Sequence, residues 1–142
     1  GILGFGTPYA HAIKKLHPDR PVFNITGDGS FGFAMHELDT AKRYGLSVIH
    51  IIHDNGSWGI IKAGQKGMYG IELGVDLSES NYAEIAKGYG CYGERISDPK
   101  EIQPAIQRAM ESGLPAVLDV EVRFAPHLTS KIFGEMGFIG VK

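Results

Sequence analysis

Two short segments of the chain carry oxygen donors where tight turns follow apolar runs. The segment NITGDGSFGF, at 24–33, sets Asp28 between two glycines, and IIHDNGSWG, at 51–59, closes the next apolar run on Asn55. A carboxylate and an amide oxygen are hard ligands, which suit Mg²⁺ or Ca²⁺ better than zinc. Because two side chains leave such an ion under-coordinated, the two segments predict that further oxygen ligands complete the site.

The turn that holds Asp28 also offers a seat for a phosphorylated ligand. Mg²⁺ commonly fills its octahedron with waters and phosphate oxygens. The backbone N–H groups of Gly29 and Ser30 lie in a glycine turn leading toward a helix, and such groups bind phosphates. The two segments therefore indicate a metal and a diphosphate. Taken alone, an acid in Gly-Asp-Gly is more often a turn residue that bonds its own backbone.

Alternating strand and helix patterns predict how these segments are positioned. Helices are expected at 7–16, 33–45, 81–90 and 98–113, and strands at 22–26, 47–53, 92–96 and 115–123. This order predicts an α/β fold, a doubly wound parallel sheet with helices on both faces. Ligands bind such sheets at the carboxyl ends of the strands. If the first two strands are neighbours, Asp28 and Asn55 converge there.

Finer expectations concern three stretches. The helix at 33–45 should place Phe33, Leu38, Ala41 and Tyr44 on one side, with Gly45 ending it. The stretch 56–80 shows scattered glycines and isolated apolar residues, so it is expected to be irregular and functional. The tail at 124–142 has weak periodicity, and its structure is left open.

Composition narrows the classes of function. The 142 residues suit one α/β domain, 1–142, and the net charge of −2 with a pI near 6.3 argues against nucleic acid. No apolar run approaches the ~20 residues that cross a bilayer, and no signal peptide is recognisable. The single cysteine, Cys91, is interpreted as a buried apolar residue in a cytoplasmic protein. The chain opens on GILGFG without an initiator Met, so we expect a fragment of a longer chain.

Other site patterns are weaker. The chain has no P-loop, and GILGFG follows no strand, so a nicotinamide fingerprint is not indicated. His50 and His53 would face opposite sides of a strand and are interpreted as core or rim residues, not as paired metal ligands. Two interpretations of Trp58 have equal support: it lines a cofactor site, or it anchors the core.

The spacing of the two segments resembles a known motif. Gly-Asp-Gly at 27–29, then DNGSWG at 54–59, is similar to the thiamine diphosphate binding motif, which begins Gly-Asp-Gly and ends Asn-Asn. GILGFGTP, HPDRPVFNITGDGSF and YAEIAKGYGCYGERI resemble further blocks of that family's cofactor domain. The branch resembled is that of acetolactate synthase and benzoylformate decarboxylase, not that of the transketolases.

The resemblance implies roles for individual residues. Asp28 and the Asn55 side chain would bind Mg²⁺ together with the main-chain carbonyl of Ser57, while Gly29 and Ser30 would contact the diphosphate.

In the opening segment, Leu3 stands where relatives place the apolar residue that bends thiamine, and the Gly1 carbonyl where the aminopyrimidine is held. We also expect Trp58 to contact the cofactor. Asp54 departs from the motif, which has Asn there, and a carboxylate beside a diphosphate is unfavourable unless it turns away or binds a cation.

The function implied is thiamine diphosphate- and Mg²⁺-dependent cleavage or formation of C–C bonds in 2-keto acids, as in acetolactate synthase. A 2-keto acid decarboxylase and an acyl-CoA lyase or decarboxylase of the same family are alternatives, and so is a non-catalytic interaction or regulatory domain. Whether the parent enzyme holds FAD is left open.

The resemblance also implies that part of the active site lies elsewhere. The activating glutamate belongs to a pyrimidine-binding domain of another subunit, so a homodimer or homotetramer is expected, and Glu37 is interpreted as structural. The strand that should precede Gly1 is not in the chain. The 142 residues by themselves are therefore expected to be inactive.

Overall fold

Parallel strands in a single sheet form the centre of the protein. The computed structural model describes residues 2–125. Within them the sheet has the order β1-β2-β4-β3, and every neighbouring pair is parallel. The strands are β1 (Val22–Gly27), β2 (Val48–Asp54), β3 (Tyr92–Ile96) and β4 (Ala116–Glu121). All four predicted strands are confirmed, and the two that precede the marked segments are direct neighbours.

Helices cover both faces of this sheet, as the doubly wound prediction requires. One face packs Leu38, Ala86 and Val117 into a core cluster, and the other packs Ala105 and Leu118 into a second. Successive residues of a strand point to opposite faces, so neighbours in β4 serve different clusters. The helices are α1 (Gly6–Leu16), α2 (Asp28–Gly32), α3 (Glu37–Tyr44), α4 (Gly59–Tyr69), α5 (Tyr82–Gly88) and α6 (Ile102–Ser112).

The helix predicted at 33–45 is wrong in its first turn. The chain forms α2 directly after β1, passes through turns at 33–36, and only then enters α3. Leu38 and Ala41 are buried as expected, whereas Phe33 and Tyr44 are exposed. Bonds such as those from the Ala34 N–H to the Phe31 carbonyl tighten the connection. Because these turns are tighter than an α-helix, the side chains at 33–36 do not continue the 3.6-residue periodicity of α3.

The stretch 56–80 was expected to be irregular, and this is wrong for its first half, where α4 lies. Gly64 and Gly67 inside this helix weaken the pattern that a sequence reader looks for. The helix is stabilised from outside: Lys62 pairs with Asp76 at 2.6 Å, and Lys66 pairs with Glu72 at 3.1 Å. These ion pairs tie α4 to the returning chain, although no residue of α4 is buried in the described part of the molecule.

The remaining expectations have mixed outcomes. The helix predicted at 98–113 begins as a 3₁₀ turn, Pro99–Glu101, where the Asp98 side chain accepts from the Lys100 N–H at 2.9 Å. Cys91 is buried in the core, as predicted. Within residues 2–125 no helix has the length and hydrophobicity to cross a bilayer. Gly1 and the tail from 126 onward lie outside the described residues.

A buried polar network joins α1 to β1 and β2. The Asn24 amide nitrogen lies 3.0 Å from His50 Nδ1, and His50 Nε2 lies 3.2 Å from His11 Nε2. If Asn24 donates to Nδ1, the His50 proton is on Nε2 and is donated to His11, which places the His11 proton on Nδ1. That atom is buried without a hydrogen-bond partner among the described residues. Both imidazoles are thus paired as neutral rings.

This network predicts acid-sensitive stability. Burial first, and then the repulsion that a protonated His11 would exert, lower the pKa of His50 to about 3. Below about pH 6.5 His50 is protonated in the unfolded chain but stays neutral in the folded protein. The free energy of unfolding therefore falls as the pH falls toward 3. The expected loss from this group is about 1.4 kcal/mol per pH unit below 6. Urea unfolding between pH 5 and 8 measures it.

A matched control is available on the same strand. His53 is exposed, so His53→Gln should leave the pH dependence of unfolding unchanged. His50→Gln should reduce the slope on the acid side by about one proton. Equal slopes for wild type and His50→Gln would contradict the prediction.

Candidate metal and diphosphate site

Asp28 occupies the carboxyl end of β1, where α2 begins. The register pairs Gly27 with His53, so β1 and β2 end side by side. Phe31, fully buried between the His50 and Tyr82 rings, anchors α2 in the core. Because α2 starts at the strand end and is held from below, the Asp28 carboxylate has a defined position at the sheet edge.

The Asp28 carboxylate joins the two marked segments directly. Its Oδ2 accepts from the Asn55 N–H at 3.1 Å and from the Ser57 N–H at 3.2 Å. The aspartate is buried, with 4% of its surface exposed. The predicted convergence of Asp28 and Asn55 is therefore confirmed.

Asn55 and Ser57 bond closely to each other. The Asn55 Oδ1 accepts from the Ser57 N–H at 3.0 Å and from the Ser57 hydroxyl at 2.9 Å. The Ser57 carbonyl accepts from the Gly59 N–H, which leaves one lone pair available. A carboxylate, an amide oxygen and a carbonyl thus lie in one cluster and could hold a small divalent cation once Ser57 releases Asn55.

The residues predicted to seat the diphosphate lie at the same point. The Gly29 N–H donates to Asp28 Oδ1 at 2.7 Å, so the turn is closed on its own carboxylate in this structure. The half-buried Trp58 side chain lies directly over Gly29, and its ring is 5.7 Å from that of Phe33. Trp58 therefore stands as a wall at the turn and does not anchor the central core.

The opening segment reaches this turn as well. The Gly4 N–H donates to the Ser30 hydroxyl at 3.1 Å, which links the chain before α1 to α2. Leu3 is largely exposed beside it. Gly1 lies outside the described residues, so its predicted contact stays a prediction.

A second acid, Asp54, lies beside the cluster. Its Oδ1 accepts from the Gly56 N–H at 3.1 Å, which shapes the turn that presents Asn55. Burial, together with the nearby carboxylates of Asp119 and Asp28, raises the pKa of Asp54 to about 6, against the opposing effect of the Gly56 hydrogen bond. Three acids, Asp28, Asp54 and Asp119, thus lie in or directly after the adjacent strands β1, β2 and β4.

Sequence reasoning missed Asp119 and Arg95. Asp119 is fully buried in β4, where it accepts from the Tyr82 N–H at 3.0 Å and from Arg95 at 3.2 Å. Burial raises the pKa of Asp119, while Arg95 opposes the rise. The signal was available: an acid within the apolar run AVLDVEV needs a partner, because an unpaired charge is rarely buried.

These acids do not form a carboxylate cage. Among residues 2–125 no group of three or more His, Cys, Asp or Glu side chains is arranged to hold a metal ion. A site built from Asp28, Asn55 and a backbone carbonyl contains only one such side chain, Asp28, so it is not a group of this kind. It would depend on water and phosphate oxygens, as Mg²⁺ sites commonly do.

Comparison with known proteins decides the family. Residues 1–120 match the family described as thiamine pyrophosphate enzyme, C-terminal TPP binding domain. The chain belongs to this family of thiamine pyrophosphate enzymes. The match includes both marked segments, so the resemblance seen in the sequence is confirmed.

Several relatives within the thiamine pyrophosphate enzymes are similar over most of the chain. The acetolactate synthase large subunit of Mycobacterium tuberculosis is 41% identical over 121 residues, which are 84% of this chain and 22% of that protein. The 2-hydroxyacyl-CoA lyase 2 of Caenorhabditis elegans is 39% identical over 98 residues, 69% of this chain and 15% of the lyase. The chain thus spans less than a quarter of the length of these relatives.

A solved structure of the family has the same fold. The thiamine diphosphate-dependent 4-hydroxybenzoylformate decarboxylase of Rhodococcus jostii matches with a TM-score of 0.81 and 30% identity, over 87% of this chain and 24% of that one. The parallel sheet with helices on both sides is therefore the fold of a thiamine pyrophosphate enzyme.

Proposed function

We propose that this chain supplies the diphosphate and Mg²⁺ site of an acetolactate synthase-like enzyme that cleaves or forms C–C bonds in 2-keto acids. The observation that carries the proposal is the contact of Asp28 with the backbone of Asn55 and Ser57. This contact holds the segment that carries Asn55 and Ser57 against the Asp28 carboxylate at the carboxyl edge of the sheet, which supports a shared site for the three candidate ligands. Family membership supports thiamine diphosphate as the cofactor.

The chain's own residues would bind and orient. Asp28, the Asn55 amide oxygen and the Ser57 carbonyl would hold the metal, and the amides of Gly29 and Ser30 would face the diphosphate. When bound, thiamine diphosphate supplies a carbanion that attacks the substrate carbonyl and stabilises the product of decarboxylation.

Binding would rearrange three hydrogen bonds. The Gly29 N–H now donates to Asp28 and must be released to reach a phosphate oxygen. The Asn55 Oδ1 must likewise exchange the Ser57 donors for the cation. Trp58, over Gly29, and the exposed Leu3 offer apolar surface that would exclude water from the cofactor.

We infer the substrate class from the similarity of this chain to its relatives in the family. The similarity to acetolactate synthase large subunits favours acetolactate synthase-like chemistry on 2-keto acids. A 2-keto acid decarboxylase, or a lyase acting on acyl-CoA substrates, are the alternatives that the other relatives suggest.

An exposed apolar stripe on α1 supports a partner domain. The outer side chains at positions 5, 9, 13 and 16 are apolar and largely exposed, and the first two rings pack edge to face. Contiguous exposed apolar side chains of this kind are typical of contact sites. We propose that a pyrimidine-binding domain of another subunit covers it, in a cytoplasmic homodimer or homotetramer. The stripe consists of Phe5, Tyr9, Ile13 and Leu16.

Calorimetric titration tests the proposed function. The full-length protein that carries this chain is expected to bind thiamine diphosphate with Mg²⁺ present, and at least about tenfold more weakly with EDTA, because the metal bridges the acidic site and the diphosphate. The same titration distinguishes the catalytic reading from a non-catalytic interaction domain. Binding that is absent, or equal with and without metal, would favour the latter.

A further inference from the structure

Asp54 stands where the family motif has Asn, and the structure shows how this chain accommodates it. One carboxylate oxygen accepts from the Gly56 N–H and so makes the turn that an Asn side chain would make. The other lies 3.7 Å from the Arg95 guanidinium. The carboxylate thus keeps the turn while its charge faces a cation.

Arg95 is held in place from several sides. It comes from the end of β3, donates to the Ser80 carbonyl at 3.1 Å and to Asp119 at 3.2 Å, and pairs through Nε with Glu121 at 2.8 Å. These bonds hold the planar guanidinium across the ends of β2 and β4. Its approach to Asp54 is therefore set by the fold and does not depend on a free rotamer.

Asp54 and Asp119 are both paired with Arg95, and Arg123 lines the same cavity as Asp54. Asp28 contacts the backbone of Asn55, the residue after Asp54, and Asp54 and Asp119 both face the Arg95 guanidinium, so three acids lie at this edge of the sheet. Among residues 2–125 no other Lys or Arg forms an ion pair within 4.0 Å with Asp54 or Asp119. A diphosphate seated at Gly29 and Ser30 would bring further negative charge to this edge.

We propose that Arg95 is a positioning residue whose charge offsets Asp54, so that the Asp-Asn variant of the motif still accepts Mg²⁺ and diphosphate. This inference rests on the proposed function. It assigns to Arg95 a role that only a chain with an acid at position 54 requires. The physical reason is that a unit charge a few ångströms from a polyphosphate weakens binding strongly unless an opposite charge lies equally near.

A double-mutant cycle in the full-length protein tests the proposal. The variants are Arg95→Gln, Asp54→Asn and the double variant, and the readout is the Kd for Mg²⁺ at saturating thiamine diphosphate together with the Kd for thiamine diphosphate at fixed Mg²⁺. Arg95→Gln is expected to weaken thiamine diphosphate binding at least about fivefold, and more at low salt. Asp54→Asn should bind at least as tightly as wild type. In the double variant most of the lost affinity for thiamine diphosphate should return.

Arg108→Gln is the matched control. Arg108 also bridges two acids, Glu94 and Glu101, but on the surface of α6 away from the site. Its replacement should leave both dissociation constants within about twofold of wild type.

Each outcome decides between distinct readings. If Arg95→Gln weakens binding equally with Asp or Asn at position 54, Arg95 acts through Asp119 and Glu121 and the proposal is overturned. If wild type binds no cofactor, the proposed function fails instead. The pairing is then measured from urea unfolding of the same four proteins without ligand, where non-additive effects of the two substitutions are expected and additive ones would overturn it.

Discussion

Asp28→Ala is expected to abolish Mg²⁺-dependent binding of thiamine diphosphate, with a loss of at least about a hundredfold in affinity. The substitution removes the one carboxylate among the candidate metal ligands. It also leaves the N–H groups of Asn55 and Ser57 without their common acceptor, so the second half of the site loses its position. Calorimetric titration of thiamine diphosphate, with and without Mg²⁺, measures the loss.

Two further variants separate metal binding from positioning. Asp28→Asn keeps an oxygen acceptor for the two amides but not the charge, so it should preserve the free energy of unfolding better than Asp28→Ala while still binding Mg²⁺ poorly. Asp39→Ala removes an exposed acid that pairs with Arg43 and should leave binding unchanged. Tight Mg²⁺-dependent binding by Asp28→Ala would refute the assignment of this residue.

Gly29→Ala is expected to destabilise the fold by about 1–3 kcal/mol and to weaken cofactor binding. A Cβ at this position would lie 2.6 Å from Trp58 Cε3, so the indole or the turn must move. The effect is steric, because Gly29 does not have a positive φ. Urea unfolding measures the stability, and the tryptophan emission reports any displacement, since Trp58 is the single tryptophan of the chain.

The same helix offers the control for this prediction. An added Cβ at Gly32 would meet nothing within 4 Å, so Gly32→Ala should be neutral or stabilising by up to about 1 kcal/mol. Trp58→Ala combined with Gly29→Ala should recover part of the lost stability, because the clash is removed. Equal effects of the alanines at 29 and 32 would show that the close approach of Trp58 has no energetic weight.

The strands and the meeting of Asp28 and Asn55 at their ends were predictable because their signals are local. An apolar run followed by a glycine turn indicates a buried strand and its end, and parallel strands present their carboxyl ends on one edge. The pairing of β1 with β2 then made the meeting of Asp28 and Asn55 a matter of geometry. The thiamine diphosphate motif could be recognised for the same reason, since its two halves are read from the chain without any long-range information.

The helix α4 was not predictable in this way. Its two internal glycines lower the local helix signal, and its support comes from Asp76 and Glu72 on the returning chain. The first turn of the predicted helix at 33–45 failed for a related reason. The packing of Phe31 into the core places α2 immediately after β1, so the amphipathic phase begins again at α3.

The sequence by itself determined the order of strands and helices, the position of Asp28 and Asn55 at strand ends, and the family of cofactor. It marked Asp54 as a departure from the motif but could not show its consequence. The tertiary structure decided that consequence, because Arg95 and Asp119 come from strands that are far away in the chain and adjacent in the sheet. Charges at such a distance along the chain interact only after the fold brings them together, and no local pattern encodes which carboxylate a given arginine will face.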